Sequence, residues 1–165
     1  MSPSRSWGRK ARQFRDHLLA RVTPAERRTL AAWTRPDELA IFDSMHVADR
    51  RHGLDVVAHL RRAGVTDRDV LAAGLLHDCA KGNTGVWPRV AWSLGEAFGP
   101  RVHAAAARIP GWRAPMDRLR NHADASARAL EAAGLSARAV ALVREQDAPT
   151  DPEYGRRFHA ADEAC

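Results

Sequence analysis

The pair His77-Asp78 directly follows the most apolar stretch of the chain, residues 70–76. Burying a lone carboxylate is costly, so Asp78 must be paired, hydrogen-bonded or bound to a metal. Lys81 follows four residues after His77 and three after Asp78, a spacing that places the three side chains on one face of a helix. A neutral imidazole and a carboxylate suit a divalent transition metal, and an ammonium group can meet a phosphate as a point charge. The spacing therefore indicates a metal site with a cation beside it.

Such a site needs further ligands from other parts of the chain. His52 lies on the preceding predicted helix, and the short connection at residues 64–67 favours antiparallel packing of the two helices. That packing would bring His52 towards His77. His122 and Asp162 are the candidates from helices further downstream.

Helix signals account for most of the chain. Thr23 with Pro24 and Glu26 is typical of a capped helix start, and glycines at positions 64 and 82 are typical of helix ends. The predicted helices cover residues 7–22, 24–33, 36–45, 49–63, 70–81, 86–98, 101–108, 115–134 (as one or two helices), 136–146 and 153–163. The helix over 70–81 is expected to be central and buried. No segment shows the alternation of a strand, so the predicted fold class is an all-α bundle.

Composition limits the class of protein. The chain has 165 residues, which suits one domain, and 45% of them are hydrophobic. Two cysteines do not form a disulfide framework, and no apolar run approaches the roughly 20 residues of a membrane span, so a cytoplasmic protein without a membrane partner is expected. The net charge of +6 is compatible with an anionic substrate, although an Arg-rich composition alone would also explain it. Nucleic acid is the less favoured partner, and the oligomeric state is left open.

Together these motifs resemble the HD-domain superfamily of metal-dependent phosphohydrolases. The resemblance rests on Arg51-His52, on the run Ala-Ala-Gly-Leu-Leu-His-Asp-Cys-Ala-Lys at residues 72–81, on Asn121-His122 and on the Ala-Asp-Glu at residues 161–163. It extends over about residues 42–163. It implies a helical HD-domain bundle over residues 41–165. Residues 1–40 lie outside the resemblance and are expected to form a helical extension packed on the bundle, with a partner-docking arm as the alternative.

The resemblance also implies a set of functional residues. One divalent transition metal (Mn, Fe, Co, Ni or Zn) would be held by His52, His77, Asp78 and Asp162. Catalytic roles would fall to Asp78, which could orient water, and to Lys81, which would offset charge on the phosphate. His122 would be a further metal ligand or a general acid. Arg51 and Arg89 are additional cations that could contact phosphate.

The chain departs from members of the family that hold two metals. Where a second additional histidine is expected, residues 144–147 read Arg-Glu-Gln-Asp. Glu145 or Asp147 could substitute as an oxygen ligand. The simpler expectation is a site for one metal.

The function implied is hydrolysis of a phosphate ester or anhydride, with a nucleotide as the expected substrate. Short members with a similar run include diadenosine tetraphosphate hydrolases, and others of this size are nucleoside monophosphate phosphatases. Two alternatives stay open. One is a nucleotide-binding regulatory module of the same fold with reduced catalysis, and the other is a di-iron oxygenase of the HD type.

Overall fold

The computed structural model describes residues 20–165, and this part of the chain is entirely helical, without strands. The helices are α1 (Pro24–Ala31), α2 (Pro36–Ser44), α3 (Val47–Arg62), α4 (Arg68–Leu76), α5 (Val86–Phe98), α6 (Pro100–Ala106), α7 (Arg113–Ala132), α8 (Ala137–Arg144) and α9 (Gly155–Ala164). The prediction of an all-α fold is confirmed. The helix predicted over 7–22 lies outside the described residues except for 20–22, which are not helical.

Side-chain caps start several of these helices as the sequence predicts. Thr23 and Glu26 form a reciprocal capping box at α1. The Oδ1 atom of Asp67 accepts the first free backbone N–H groups of α4, at 2.8 and 3.2 Å. The hydroxyl of Ser136 accepts an N–H of α8 at 3.1 Å. Each cap satisfies donors that have no partner inside the helix, which explains why the starts were readable from sequence.

Helix α4 is the centre of the main core, as predicted. Every residue from Val70 to Leu76 is buried, and α4 packs against α3, α8, α9 and α2. Leu30 of α1 and Phe42 of α2 belong to the same core cluster. The boundary expected between residues 40 and 41 falls inside α2.

Helices α5, α6 and α7 enclose a second, smaller core. Met116 and Leu119 of α7 are buried there with Ala106, and Trp92 of α5 packs against them. Helix α7 is one continuous element rather than two, and it extends from this smaller core to contacts with α8. Among residues 20–165, no helix is both long and apolar enough to cross a membrane.

Helix α4 ends at Leu76, five residues earlier than predicted, so His77 and Asp78 lie in a turn after it rather than on its last turn. The backbone N–H of Cys79 bonds to the Leu76 carbonyl at 3.0 Å, a three-residue step instead of the helical four. The N–H of Ala80 donates to the hydroxyl of Ser126 on α7, at 3.1 Å, instead of to the helix. A tertiary hydrogen bond therefore ends α4, which local sequence could not reveal.

Helices α3 and α4 cross in close contact at Gly53. A Cβ atom at this position would lie 2.3 Å from the backbone oxygen of Leu75, so only glycine fits without a shift. Gly53 follows His52, and Leu75 precedes His77 by two residues. The crossing therefore sets the separation of the two histidines.

Candidate metal centre

Three side chains from three distant segments converge beside the end of α4. His52 comes from α3, His77 from the turn after α4, and Asp162 from α9. The Nε2 atom of His52 lies 2.8 Å from Oδ1 of Asp162, and the Nε2 atom of His77 lies 3.1 Å from the same oxygen. One ligand atom from each residue falls within 4.8 Å of the other two, so the cluster could hold a metal ion.

Hydrogen bonding fixes the orientation of His77. Its Nδ1 atom lies 3.0 Å from the carbonyl oxygen of Gly74, to which it donates, so Nε2 is the atom directed at Asp162. The His77 side chain is only 2% exposed and packs edge-on against Phe158 of α9. A histidine that donates its other ring N–H to a backbone carbonyl is the usual arrangement of a metal-ligating imidazole.

The charge balance of the cluster is that of a cation site. Burial lowers the pKa of His77, but the carboxylates of Asp78 and Asp162 outweigh this and raise the pKa to about 9. Burial would raise the pKa of Asp162, but its hydrogen bonds with His52 and His77 hold it well below the usual range. The two carboxylates therefore favour a positive charge beside Nε2 of His77.

Asp78 lies next to this cluster with one oxygen unused. Its Oδ2 atom accepts from Nζ of Lys81 at 2.5 Å. Its Oδ1 atom is buried, has no hydrogen-bond partner within the described part of the chain, and lies 3.6 Å from Nε2 of His77. Burial alone would raise the pKa of Asp78, but the nearby His77 and Lys81 lower the pKa by more than burial raises it. The carboxylate is therefore charged. A buried, charged and unpartnered oxygen beside a histidine nitrogen is suited to a cation.

His122 of α7 lies on the other side of Asp78. Its Nε2 atom is 3.5 Å from Oδ1 of Asp78. Its Nδ1 atom donates to the carbonyl of Leu119 at 2.7 Å, and its Nε2 atom accepts from the side-chain amide of Gln146 at 3.0 Å. Burial and the charge of Lys81 lower the pKa of His122, so the ring is neutral.

The structure therefore places every predicted site residue in one region. His52, His77 and Asp162 form the cluster, Asp78 adjoins it, and Lys81 and His122 contact Asp78. The alternative of an oxygen ligand from Glu145 or Asp147 finds no support, because Asp147 is exposed and Glu145 accepts a hydrogen bond from the hydroxyl of Thr150.

Arg51 and Arg89 do not offer free charges to a substrate. Arg51 pairs with Glu26 and Asp55. Arg89 makes a two-pronged ion pair with the buried carboxylate of Asp49, at 2.6 and 2.8 Å, and also donates to the hydroxyl of Thr84 and the carbonyl of Gly82. Arg89 thus holds the loop after the His77 turn rather than facing solvent.

Sequence reasoning missed three residues that build the site: Gly53, Ser126 and Gln146. Gln146 was detectable in part, because it continues the buried face that passes through Ala139, Leu142 and Val143 at helical spacing. Gly53 and Ser126 carried no local signal, since each acts on an element distant in sequence.

An open groove of about 350 Å³ lies between α7 and the turn after α4. Its lining comprises Ala80, Ala114, Asp117, Arg118, Asn121 and Ala125. Ala80 neighbours Lys81, and Asn121 neighbours His122. The groove is therefore adjacent to the cluster, and its lining includes one guanidinium, one amide and one carboxylate.

No protein-family model matches the chain, and searches among curated proteins and among solved structures gave no match. The resemblance to HD-domain proteins therefore stays a prediction. What the structure itself establishes is the all-helical fold and the His52–His77–Asp162 cluster.

Proposed function

We propose that this protein is a metal-dependent phosphohydrolase of the HD type that acts on a phosphate ester or anhydride of a nucleotide. The observation that carries the proposal is the convergence of His52, His77 and Asp162 beside the unpartnered Oδ1 of Asp78. Two imidazole nitrogens converge on the carboxylate of Asp162, and the Asp78 carboxylate beside them keeps one buried oxygen without a hydrogen-bond partner among the described residues. Such a grouping is costly to bury unless a cation compensates it.

The residues fit one divalent transition metal. His52, His77, Asp78 and Asp162 supply the mixed nitrogen and oxygen donors that Mn, Fe, Co, Ni and Zn accept. His77 has its second ring nitrogen fixed by the Gly74 carbonyl, as ligating histidines usually do. A divalent ion bound there would supply Lewis-acid activation of water and of a phosphoryl oxygen.

Lys81 is the residue that links this centre to phosphate chemistry. It is one of two lysines in a chain whose other basic residues are arginines. An Arg-rich composition therefore does not account for a lysine at this position. Its ammonium is held 2.5 Å from Asp78 and can also meet a phosphate oxygen, where it would offset negative charge that develops during hydrolysis.

In this proposal, His122 acts as a hydrogen-bond acceptor through its Nε2 atom. Its Nδ1–H is committed to the Leu119 carbonyl, and its Nε2 atom carries the lone pair. A neutral ring in this tautomer can accept a proton or a hydrogen bond, whereas a general acid needs a proton on the atom that faces the substrate. Gln146 already occupies that lone pair, so His122 is assigned a positioning role beside Asp78 rather than a role in proton transfer.

The groove beside α7 is the proposed place for the rest of the nucleotide. Arg118 lies on it and forms no ion pair with any described residue, so its guanidinium is available for a second phosphate. Asn121 offers an amide that can bond to a base or sugar. Small side chains at Ala80, Ala114 and Ala125 leave the room that a ring needs.

The test combines metal analysis with a substrate screen. Protein purified without chelator should contain about one transition metal per chain, and His77→Ala should lose it. Nucleoside monophosphates, dinucleoside polyphosphates and a generic phosphodiester should then be assayed with that metal. Lys81→Met should keep the metal and lower kcat by roughly 100-fold. Arg118→Ala should raise KM and leave metal content unchanged.

Asp124→Asn is the matched control, because this carboxylate is exposed on α7 and 63% of its side chain is accessible. It should change neither metal content nor turnover. Metal-free protein that cannot be reconstituted would refute the proposal. Bound metal with nucleotide binding and no turnover would instead favour the regulatory module, and two irons with oxygen consumption would favour the oxygenase.

A further inference from the structure

The side chain of Gln146 contacts the same nitrogen of His122 that lies near Asp78. Its Nε2 atom donates to Nε2 of His122 at 3.0 Å. Gln146 is 2% exposed, and its backbone carbonyl accepts from Nδ1 of His159 at 2.8 Å, which ties the residue to α9. The residue is thus held on both sides and cannot simply swing into solvent.

Two histidine nitrogens lie close to the carboxylate of Asp78. Its unpartnered Oδ1 lies 3.6 Å from Nε2 of His77 and 3.5 Å from Nε2 of His122. On the His77 side, His52 and Asp162 complete a set of ligands. Beside His122, the amide of Gln146 directs its N–H group at Nε2, and an N–H group cannot ligate a metal. The Oε1 atom of the same amide is buried without a hydrogen-bond partner among the described residues.

We propose that Gln146 limits the centre to a single metal, because its amide N–H occupies the lone pair of His122 that a second ion would need. This inference rests on the proposed metal-dependent function and adds the residue that sets its metal number. Rotating the amide by 180° would place its oxygen against the lone pair of His122. Two hydrogen-bond acceptors would then face each other, which is unfavourable. The donating orientation is therefore the one that the neighbouring groups favour.

The inference makes Gln146 a determinant of stoichiometry rather than a catalytic residue. Replacing the amide with a ligand of similar size should create a second site from groups that are already present. Gln146→Glu supplies a carboxylate and Gln146→His supplies an imidazole, so two variants test the same idea with different folding risks.

The experiment measures Zn²⁺ bound per chain by calorimetry and by elemental analysis of the dialysed protein. We expect one equivalent in the wild type and two in Gln146→Glu or Gln146→His. The double variant His122→Ala/Gln146→Glu should return to one, because the second ion needs both side chains. Ala148→Glu is the matched control, since it adds a carboxylate two residues away at an exposed position and should leave one equivalent.

A second measurement follows the His122 ring by nitrogen NMR. In the wild type, the chemical shift of the His122 Nε2 atom should stay that of a hydrogen-bond acceptor after saturation with Zn²⁺. In Gln146→Glu, the same chemical shift should change as the second equivalent of Zn²⁺ binds. Two equivalents in the wild type would overturn the inference while leaving the metal centre intact. So would a single equivalent in both folded Gln146 variants. No binding by any form would overturn the proposed function and this inference together.

Discussion

Replacing Gly53 with alanine should separate α3 from α4 and weaken metal binding at His52. The added Cβ atom would lie 2.3 Å from the backbone oxygen of Leu75 and 3.1 Å from its carbonyl carbon. An ordinary contact between such atoms is roughly 1 Å longer than the first of these distances. The obstructing atom is part of the α4 backbone, so it cannot rotate away as a side chain would.

Two opposing effects set the magnitude of this change. Alanine is favoured over glycine inside a helix by about 1 kcal/mol. Overpacking at a fixed backbone contact costs about 1–3 kcal/mol. The clash is severe, so we expect the upper part of that range and a net loss of about 1–2 kcal/mol in the free energy of unfolding.

Metal binding should respond more strongly than folding. Relief of the clash moves α3 outward by a few tenths of an ångström to about 1 Å, and metal–ligand distances tolerate only about ±0.2 Å. We expect the affinity for Zn²⁺ to fall at least about 10-fold, as it does when the supporting shell of a metal site is disturbed.

Urea denaturation of the metal-free protein and calorimetry with Zn²⁺ provide the two measurements. Ala58→Gly is the control on the same helix, because Ala58 is exposed and its replacement reports helix propensity without any clash. It should cost about 1 kcal/mol and leave Zn²⁺ affinity unchanged. A Gly53→Ala protein as stable as the wild type, with full affinity, would refute the idea that this crossing positions His52.

Three further predictions concern residues around the centre. Arg89→Met leaves the carboxylate of Asp49 buried without its ion pair, and should lower the free energy of unfolding by about 3–5 kcal/mol in urea denaturation. Ser126→Ala removes the acceptor of a partly buried backbone N–H in the His77 turn, and should cost about 1 kcal/mol in the same assay. The hydrogen bond from Arg51 lowers the pKa of Glu26 from 4.5 to about 2. The destabilisation caused by Glu26→Gln should therefore be complete above about pH 5 and should vanish as the pH falls towards 2, as measured by chemical denaturation at several pH values. It should not exceed about 1 kcal/mol, because this ion pair is solvent-accessible.

Each of these predictions has an outcome that would contradict it. Adding Asp49→Asn to Arg89→Met should restore part of the stability, and no recovery would mean that the unpaired charge is not the cause. If Ser126→Ala leaves stability unchanged, the turn after α4 finds another acceptor. A cost of Glu26→Gln that is the same at pH 3 and pH 7 would show that the carboxylate charge does not stabilise the fold.

Local rules predicted most of the helices. Caps at Thr23, Asp67 and Ser136 and the apolar run of α4 are signals that depend on residues within four positions of each other. The prediction was wrong at the C-terminal end of helix α4, because a hydrogen bond to Ser126 on α7 replaces the expected last helical turn. Rules based on sequence consider only residues that are close along the chain, whereas the hydroxyl that competes for this backbone N–H belongs to another helix.

The sequence by itself determined the helical class and the chemistry of the candidate ligands. It supplied two histidines and two aspartates, residue types that a metal accepts as ligands, and it marked Lys81 as a cation next to Asp78. Those properties reside in the residue types and in spacings that a single helix or turn preserves.

Only the tertiary structure decided that these ligands meet. His52 and Asp162 are separated by 110 positions, and no local pattern fixes whether their helices pack together. That contact depends on the close crossing at Gly53 and on the packing of α9 against α3 and α4. The same holds for Gln146, whose side chain forms its hydrogen bond with His122, 24 positions earlier in the chain. Packing energy is summed over the whole core, so the partner of a buried polar group is set by the fold and not by its neighbours in sequence.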